Sequence, residues 1–203
     1  MFRPNYALDA PPDHIEVGGA SYAVKVDFRV WIDVIDMVRE LFMRVETVED
    51  ARHNAEVLQR IQMAAFGGVL EDERPEDVLR AVMEFARGYP SMVGGGADSA
   101  GGEEKDDEIL SFDYDINYLV LAIQNQSGID LSYRRTEPFH WWEFLLQVRA
   151  LCGDHYILRV METRASDSKD KDVRRAKRRL RLPHKPTAEE QRQIDELHAA
   201  FGD

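Results

Sequence analysis

Apolar residues recur along most of the chain at the three- and four-residue spacing of an amphipathic α-helix. After Asp27, a candidate N-cap, they occupy Phe28, Trp31, Ile32, Ile35, Val38 and Phe42. This spacing predicts a first helix with one buried face. A second predicted helix begins at Thr47 and ends near Phe66, with Ala51, Leu58, Ile61 and Ala65 facing inward. A third predicted helix runs from Pro75 to about Arg87, and the proline and two acidic residues at its beginning suit a helix start.

The segment before the first helix has a different pattern. In "IEVGGASYAVKV", residues 15–26, β-branched residues flank Gly18 and Gly19, which is typical of a short β-hairpin. Because an isolated two-stranded hairpin is only marginally stable, we expect it to lie on a helix.

The C-terminal half also reads as helical. One helix is predicted over 111–131, with Asp113 as its cap and Gly128 as its stop. A Trp-Trp helix follows, then a short helix near 154–163 and a basic helix over 169–181. Thr187 and Glu190 form a capping-box pattern at the start of the last helix.

The Trp-Trp helix, "EPFHWWEFLLQVRAL", is apolar over most of its circumference, which predicts burial on two or more sides. Successive residues point about 100° apart, so Trp141 and Trp142 should meet different neighbours. We interpret it as a core helix, on which Trp142 and Arg149 mark a face that reaches a partner. Cys152 also lies on the apolar arc and is predicted to be a buried thiol in a reducing cytoplasm.

The predicted fold is mainly α: a helical bundle-like domain with a small N-terminal β-hairpin. Residues 1–93 would hold the hairpin and the first helices, and 109–165 a helical core. Residues 166–203 would form charged C-terminal helices. Residues 94–108, between the first region and the helical core, carry five glycines and six acidic residues, which predicts a flexible acidic linker or loop.

Charge is unevenly distributed over the 203 residues. The net charge is −12, which disfavours general nucleic-acid binding. Residues 169–185, however, hold nine Lys or Arg against two Asp, so the other residues carry −19. This basic stretch fits a solvated or internally paired helix, a surface for an acidic protein partner, or a nucleic-acid patch. The residues at issue are Arg174, Arg175, Lys177, Arg178, Arg179 and Arg181.

The sequence offers no recognisable catalytic, cofactor or metal motif. The six histidines lack zinc-motif spacing, and the glycines at 94–96 lack a following Gly-Lys-Ser/Thr. "DYDIN" begins like a calcium loop, but Tyr118 stands where the required glycine should be. We therefore expect no enzyme and no cofactor. The N-terminus does not resemble a secretory signal, and no apolar run reaches the length of about 18 residues that a membrane span needs.

Residues 112–151, "FDYDINYLVLAIQNQSGIDLSYRRTEPFHWWEFLLQVRAL", resemble the bacteriophage gene-product-fifteen family of tail-module proteins. "VDFRVWI", 26–32, resembles the family's N-terminal motif. The likeness is close over about 111–164 and looser over 15–45. The matching positions are Phe112, Asp113, Asp115, Tyr118, Gly128, Ile129, Asp130, Leu131, His140, Trp141, Trp142 and Phe144.

The resemblance implies a small helical protein of long-tailed phages that acts as a tail assembly chaperone. Such a protein binds the aggregation-prone tape measure protein in the host cytoplasm, helps to recruit tail-tube protein, and is absent from the mature virion. Self-association is left open, and no catalytic residues come with the family. The alternatives are a structural tail or neck component and a nucleic-acid-binding accessory protein that uses residues 169–185.

Overall fold

The structure, a computed structural model, describes residues 8–42, 44–89, 109–183 and 186–201. Within these ranges it is mainly helical, with one two-stranded antiparallel hairpin, as the hydrophobic pattern predicted. The elements are β1 His14–Val17, β2 Ala20–Ala23, α1 Phe28–Val38, α2 Val48–Ala65, α3 Pro75–Ala86, α4 Phe112–Ser127, α5 Trp141–Ala150, α6 Tyr156–Ala165, α7 Lys171–Leu180 and α8 Ala188–Phe201.

The chain forms two compact units. The first contains the residues up to Tyr89 and those from 184 onward, and the second contains residues 90–183. Thus α7 groups with the helical core, whereas α8 joins the N-terminal unit. The predicted linker, 94–108, lies outside the described residues, and the predicted domain boundaries stay a prediction.

The hairpin of the first unit turns at Gly18 and Gly19, whose φ angles of 59° and 95° suit glycine. Val17 pairs with Ala20, and His14 pairs with Ala23. The inward residues of β1, Ile15 and Val17, are buried, and β1 packs against α3. The expectation that the hairpin lies on a helix is confirmed.

Helix α1 begins where its sequence predicted, because the Asp27 side chain accepts a hydrogen bond from the Arg29 amide. Its buried face includes Phe28, Trp31 and Val34. The Trp31 ring lies 4.4 Å from that of Phe85, and its indole N–H donates to the Lys25 carbonyl at 2.7 Å. These contacts join α1, α3 and the chain after the hairpin into one core.

A capping box between Thr47 and Asp50 starts α2. The predicted inward positions Leu58, Ile61 and Ala65 are buried, but the prediction for Ala51 was wrong, because Ala51 is exposed. The capping hydrogen bonds turn Asp50 inward instead, so the adjacent alanine points to solvent.

Helix α8 is anchored on the first unit by Arg192. Its guanidinium donates to Asp50 at 2.9 Å, lies 3.4 Å from a Glu46 carboxylate oxygen and lies over the Phe42 ring at 5.2 Å. The predicted capping box at its start is present, because the Thr187 amide donates to Glu190 and the Glu190 amide donates back to the Thr187 hydroxyl.

In the second unit, α4 buries Leu119, Ala122 and Ile123. The predicted cap at Asp113 was wrong: the N-cap position is Ser111, whose carbonyl accepts the first helical bond, from Asp115. Gly128, at φ 74°, ends the helix as predicted.

The burial predicted for Cys152 was also wrong. Helix α5 ends at Ala150, so Cys152 falls beyond the apolar arc and is exposed. Its backbone amide donates to the side chain of Gln126 on α4 at 2.9 Å.

Candidate functional site

The His-Trp-Trp motif builds the interior of the second unit. His140 is the N-cap of α5, and its Nδ1 accepts a hydrogen bond from the Trp142 amide at 3.0 Å. Trp141, only 1% exposed, packs against the rings of Phe112 and Phe144 at centroid distances of 5.7 and 5.8 Å. Trp142 instead meets His140 edge-on at 6.4 Å. The two indoles therefore have different neighbours, as the helical geometry predicted.

The structure places Trp142 in the interior of the second unit. Its exposed fraction is 7%, so little of its ring is accessible to a partner, and the partner-binding role predicted for it stays a prediction. The apolar circumference of α5 is covered on the Trp142 side as well as on the Trp141 side. Arg149, near the end of the same helix, is exposed.

The Gly-Ile-Asp-Leu stretch shapes the chain after α4. The side chain of Asp130 accepts a hydrogen bond from the Ser132 amide at 2.9 Å, and this bond lowers the pKa of the Asp130 carboxyl. Leu131 is buried with 2% exposure. These residues fix a turn between two helices, which is a structural task.

Helix α7 presents a strongly basic surface, the α7 cationic face, formed by Arg174, Arg175, Arg178 and Arg179. All four are exposed. Within the part of the chain that the structure describes, their side chains make no ion pair or hydrogen bond. Lys177 is half-buried and donates to the Ser166 carbonyl at 3.3 Å, and Arg181 follows the helix and is exposed. The residues predicted for this segment thus share one helix, but only the four arginines form the α7 cationic face.

A shallow, open groove runs along α7, lined by Asp172, Arg175, Ala176, Arg179 and Leu180. These positions follow the i, i+3, i+4, i+7 spacing of one helical side. The groove therefore has a small apolar floor, two guanidinium groups one turn apart, and a carboxylate at its N-terminal end.

A second surface, which the sequence reasoning missed, lies on α4 and α6. Tyr114, Tyr118 and Leu121 on α4 are 44%, 45% and 55% exposed, and Tyr156 on α6 is 47% exposed. The rings of Tyr118 and Tyr156 meet at 4.9 Å. We call these four residues the α4 aromatic face. The signal that could have found it is a second apolar stripe at i, i+4 and i+7, opposite Leu119 and Ile123.

A buried ion pair fixes the helices that carry both surfaces. Arg164 on α6 donates to the two carboxylate oxygens of Asp115 on α4 at 2.6 and 3.1 Å. The same guanidinium donates to the carbonyls of Leu180, the last residue of α7, at 2.7 Å and of Ile109 at 3.0 Å. One side chain on α6 is therefore bonded to both α4 and the end of α7.

Comparison with known protein families gives a match that covers most of the chain. The family described as "Bacteriophage Gp15 protein" matches residues 8–185. The chain belongs to the bacteriophage Gp15 family. Searches of curated proteins and of solved structures returned no match. Membership makes this a bacteriophage protein and points to a structural or assembly role. Both surfaces of this Gp15-family member, on α4 with α6 and on α7, fall inside the matched range.

The described residues were also searched for metal sites and for membrane-spanning helices. Among them, no group of three or more His, Cys, Asp or Glu side chains is arranged to hold a metal ion. No helix in the same ranges combines the length and hydropathy that crossing a membrane requires.

Proposed function

We propose that this Gp15-family protein is a phage tail assembly chaperone that binds tape measure protein and assists tail-tube assembly without catalysing a reaction. It would act in the host cytoplasm during assembly and be absent from the mature virion. The observation that carries the proposal is the α4 aromatic face, an exposed apolar helix surface in a chain that belongs to a phage family.

The composition of this surface suits an elongated helical client. Partner helices are recognised through an apolar face laid against a complementary one. Tyrosine is enriched at such interfaces, because it offers a large apolar ring and a polar hydroxyl. Tyr114, Tyr118 and Leu121 occur one helical turn apart, so they can meet successive turns of a client helix along α4.

The test is co-expression with the tape measure protein of the same phage, followed by pull-down from the soluble fraction. We expect the client to be soluble and to co-purify with the native chain. The variant Tyr118→Ser with Leu121→Ser should lose most of the client. The matched control is Val45→Ser with Val48→Ser, which removes two side chains that are 54% and 76% exposed in the first unit. The control should retain the client.

A client whose solubility is unaffected by the native chain would contradict the chaperone proposal. Purified particles would then be searched for this chain, because its presence there would support a structural tail or neck component. Equal client loss in both double variants would instead refute the assignment to the α4 aromatic face.

A further inference from the structure

Three features leave the positive charge of the α7 cationic face uncompensated among the described residues. Its four arginines have no acidic partner among the described residues. Arg174 and Arg178, and likewise Arg175 and Arg179, stand one turn apart, and like charges at this spacing destabilise a helix. The helix also contains no fully buried residue, so packing stabilises it less than it stabilises the core helices.

The groove along α7 shows which chemistry would relieve the repulsion. The guanidinium groups of Arg175 and Arg179 flank the small side chain of Ala176, with Leu180 beyond it. Arginine binds carboxylates through two parallel N–H···O bonds. A partner helix with two carboxylates one turn apart would match the two guanidinium groups while its small side chains lie on the apolar floor.

We propose that the α7 cationic face binds an acidic helical protein segment whose carboxylates are spaced one turn apart. The segment lies along the groove, with its carboxylates on Arg175 and Arg179. Asp172 repels acidic side chains at the N-terminal end, so it fixes the register of the segment. This inference goes beyond the proposed function and does not depend on it, because α7 lies outside the α4 aromatic face.

Three observations favour an acidic protein segment over a nucleic acid. The groove offers no aromatic ring on which a base could stack, and it contains Asp172, which repels phosphates. The residues outside 169–185 carry −19, a charge that opposes a long polyanion running past the helix. A short acidic segment meets chiefly the local positive charge.

The experiment measures binding of a labelled synthetic peptide to the full chain by fluorescence anisotropy at about 0.15 M salt, where weak long-range attraction is screened. The peptide is an alanine-based helix with glutamates at i and i+4. A second peptide has the same composition with its glutamates spread around the helix. We expect the paired peptide to bind at least about tenfold more tightly, since the other peptide can place only one glutamate at a time on the two guanidinium groups.

The variants localise the binding. The groove pair, Arg175→Gln with Arg179→Gln, should weaken binding of the paired peptide about tenfold. The control pair, Arg52→Gln with Arg87→Gln, removes the same charge from exposed positions of the first unit. It should change the affinity by no more than about twofold. Urea melts of each variant would check that the fold is retained. The pair Arg174→Gln with Arg178→Gln, outside the groove lining, should have a smaller effect than the groove pair.

Three results would overturn the proposal. They are the absence of detectable peptide binding, equal affinity for the two peptides, and equal weakening by the groove pair and the control pair. Tighter binding of a labelled 20-nucleotide oligonucleotide, lost in the groove pair, would also overturn it and assign the surface to nucleic acid. Failure of the tape measure pull-down alone would leave these peptide results unaffected, so the two proposals can fail separately.

Discussion

Replacing Arg164 with methionine should destabilise the second unit more than any exposed substitution, because Arg164 makes four hydrogen bonds in a nearly dry environment. The side chains of Arg164 and Asp115 are only 8% and 3% exposed. Without the guanidinium, the Ser111 amide, at 3.0 Å, is the one donor that the described residues still offer the Asp115 carboxylate. The carbonyls of Ile109 and Leu180 lose a donor as well.

The magnitude follows from these contacts. Leaving a buried charge without its partner costs about 3–5 kcal/mol. Methionine retains much of the apolar stem, so we expect Arg164→Met to lower the free energy of unfolding by about 4 kcal/mol, with little contribution from a cavity. Arg164→Lys keeps the charge, but one ammonium group cannot reach both Asp115 and the two carbonyls. We therefore expect an intermediate loss of about 2 kcal/mol.

Urea unfolding followed by tryptophan fluorescence can isolate the second unit. In a Trp31→Phe background, the remaining tryptophans, Trp141 and Trp142, both lie in that unit. The double variant Asp115→Leu with Arg164→Met removes both charges, and its loss should be smaller than the sum of the two single losses by about 2–3 kcal/mol. A loss below about 1 kcal/mol for Arg164→Met, or strictly additive losses, would refute this account of the ion pair.

Three further substitutions test the packing and electrostatics elsewhere. Trp141→Ala should cost about 3–5 kcal/mol in denaturant melts, as for other buried large aromatics, and a loss under about 1 kcal/mol would show that it is not in the core. Gly18→Ala should cost about 1 kcal/mol or more, because its positive φ strains any residue that has a Cβ, whereas the Glu73 carboxylate nearby ends a flexible side chain and can move aside; unchanged stability in urea would contradict this. Several hydrogen bonds, first among them that from the Glu46 amide, lower the pKa of the Asp50 carboxyl in the folded state. The ionised carboxylate therefore stabilises the fold above the unfolded pKa of about 3.9, and this stabilisation is lost as the pH falls through the lower folded-state pKa. The stability difference between the native chain and Asp50→Asn should therefore narrow in urea titrations from about pH 6 to pH 3, and a constant difference would refute the assignment.

Local patterns predicted much of the fold. The glycine pair at 18–19, the cap at Asp27 and the stop at Gly128 act through hydrogen bonds and backbone angles within a few residues. Such features need no knowledge of distant parts of the chain, and all three are present. The capping box at Thr187 was predictable for the same reason.

Predictions that depended on the end of a helix were less secure. Cys152 follows the apolar arc only if α5 continues past Ala150, and it does not. Asp113 resembles a cap, but α4 begins with Ser111 at the N-cap. A shift of one or two residues at a helix end rotates a side chain by 100° or more, which changes its environment completely.

The sequence by itself determined a mainly helical protein with an N-terminal hairpin, an unusual basic segment and a likeness to a phage family. Only the tertiary structure decided which residues remain exposed. Trp142 lies in the interior, while Tyr118 and Tyr156, 38 positions apart in the chain, meet at the surface. Likewise, the sequence gives Asp115 and Arg164 no local reason to pair, because 49 positions separate them. Helical periodicity gives the faces of a helix, but the contacts between helices decide which face is covered.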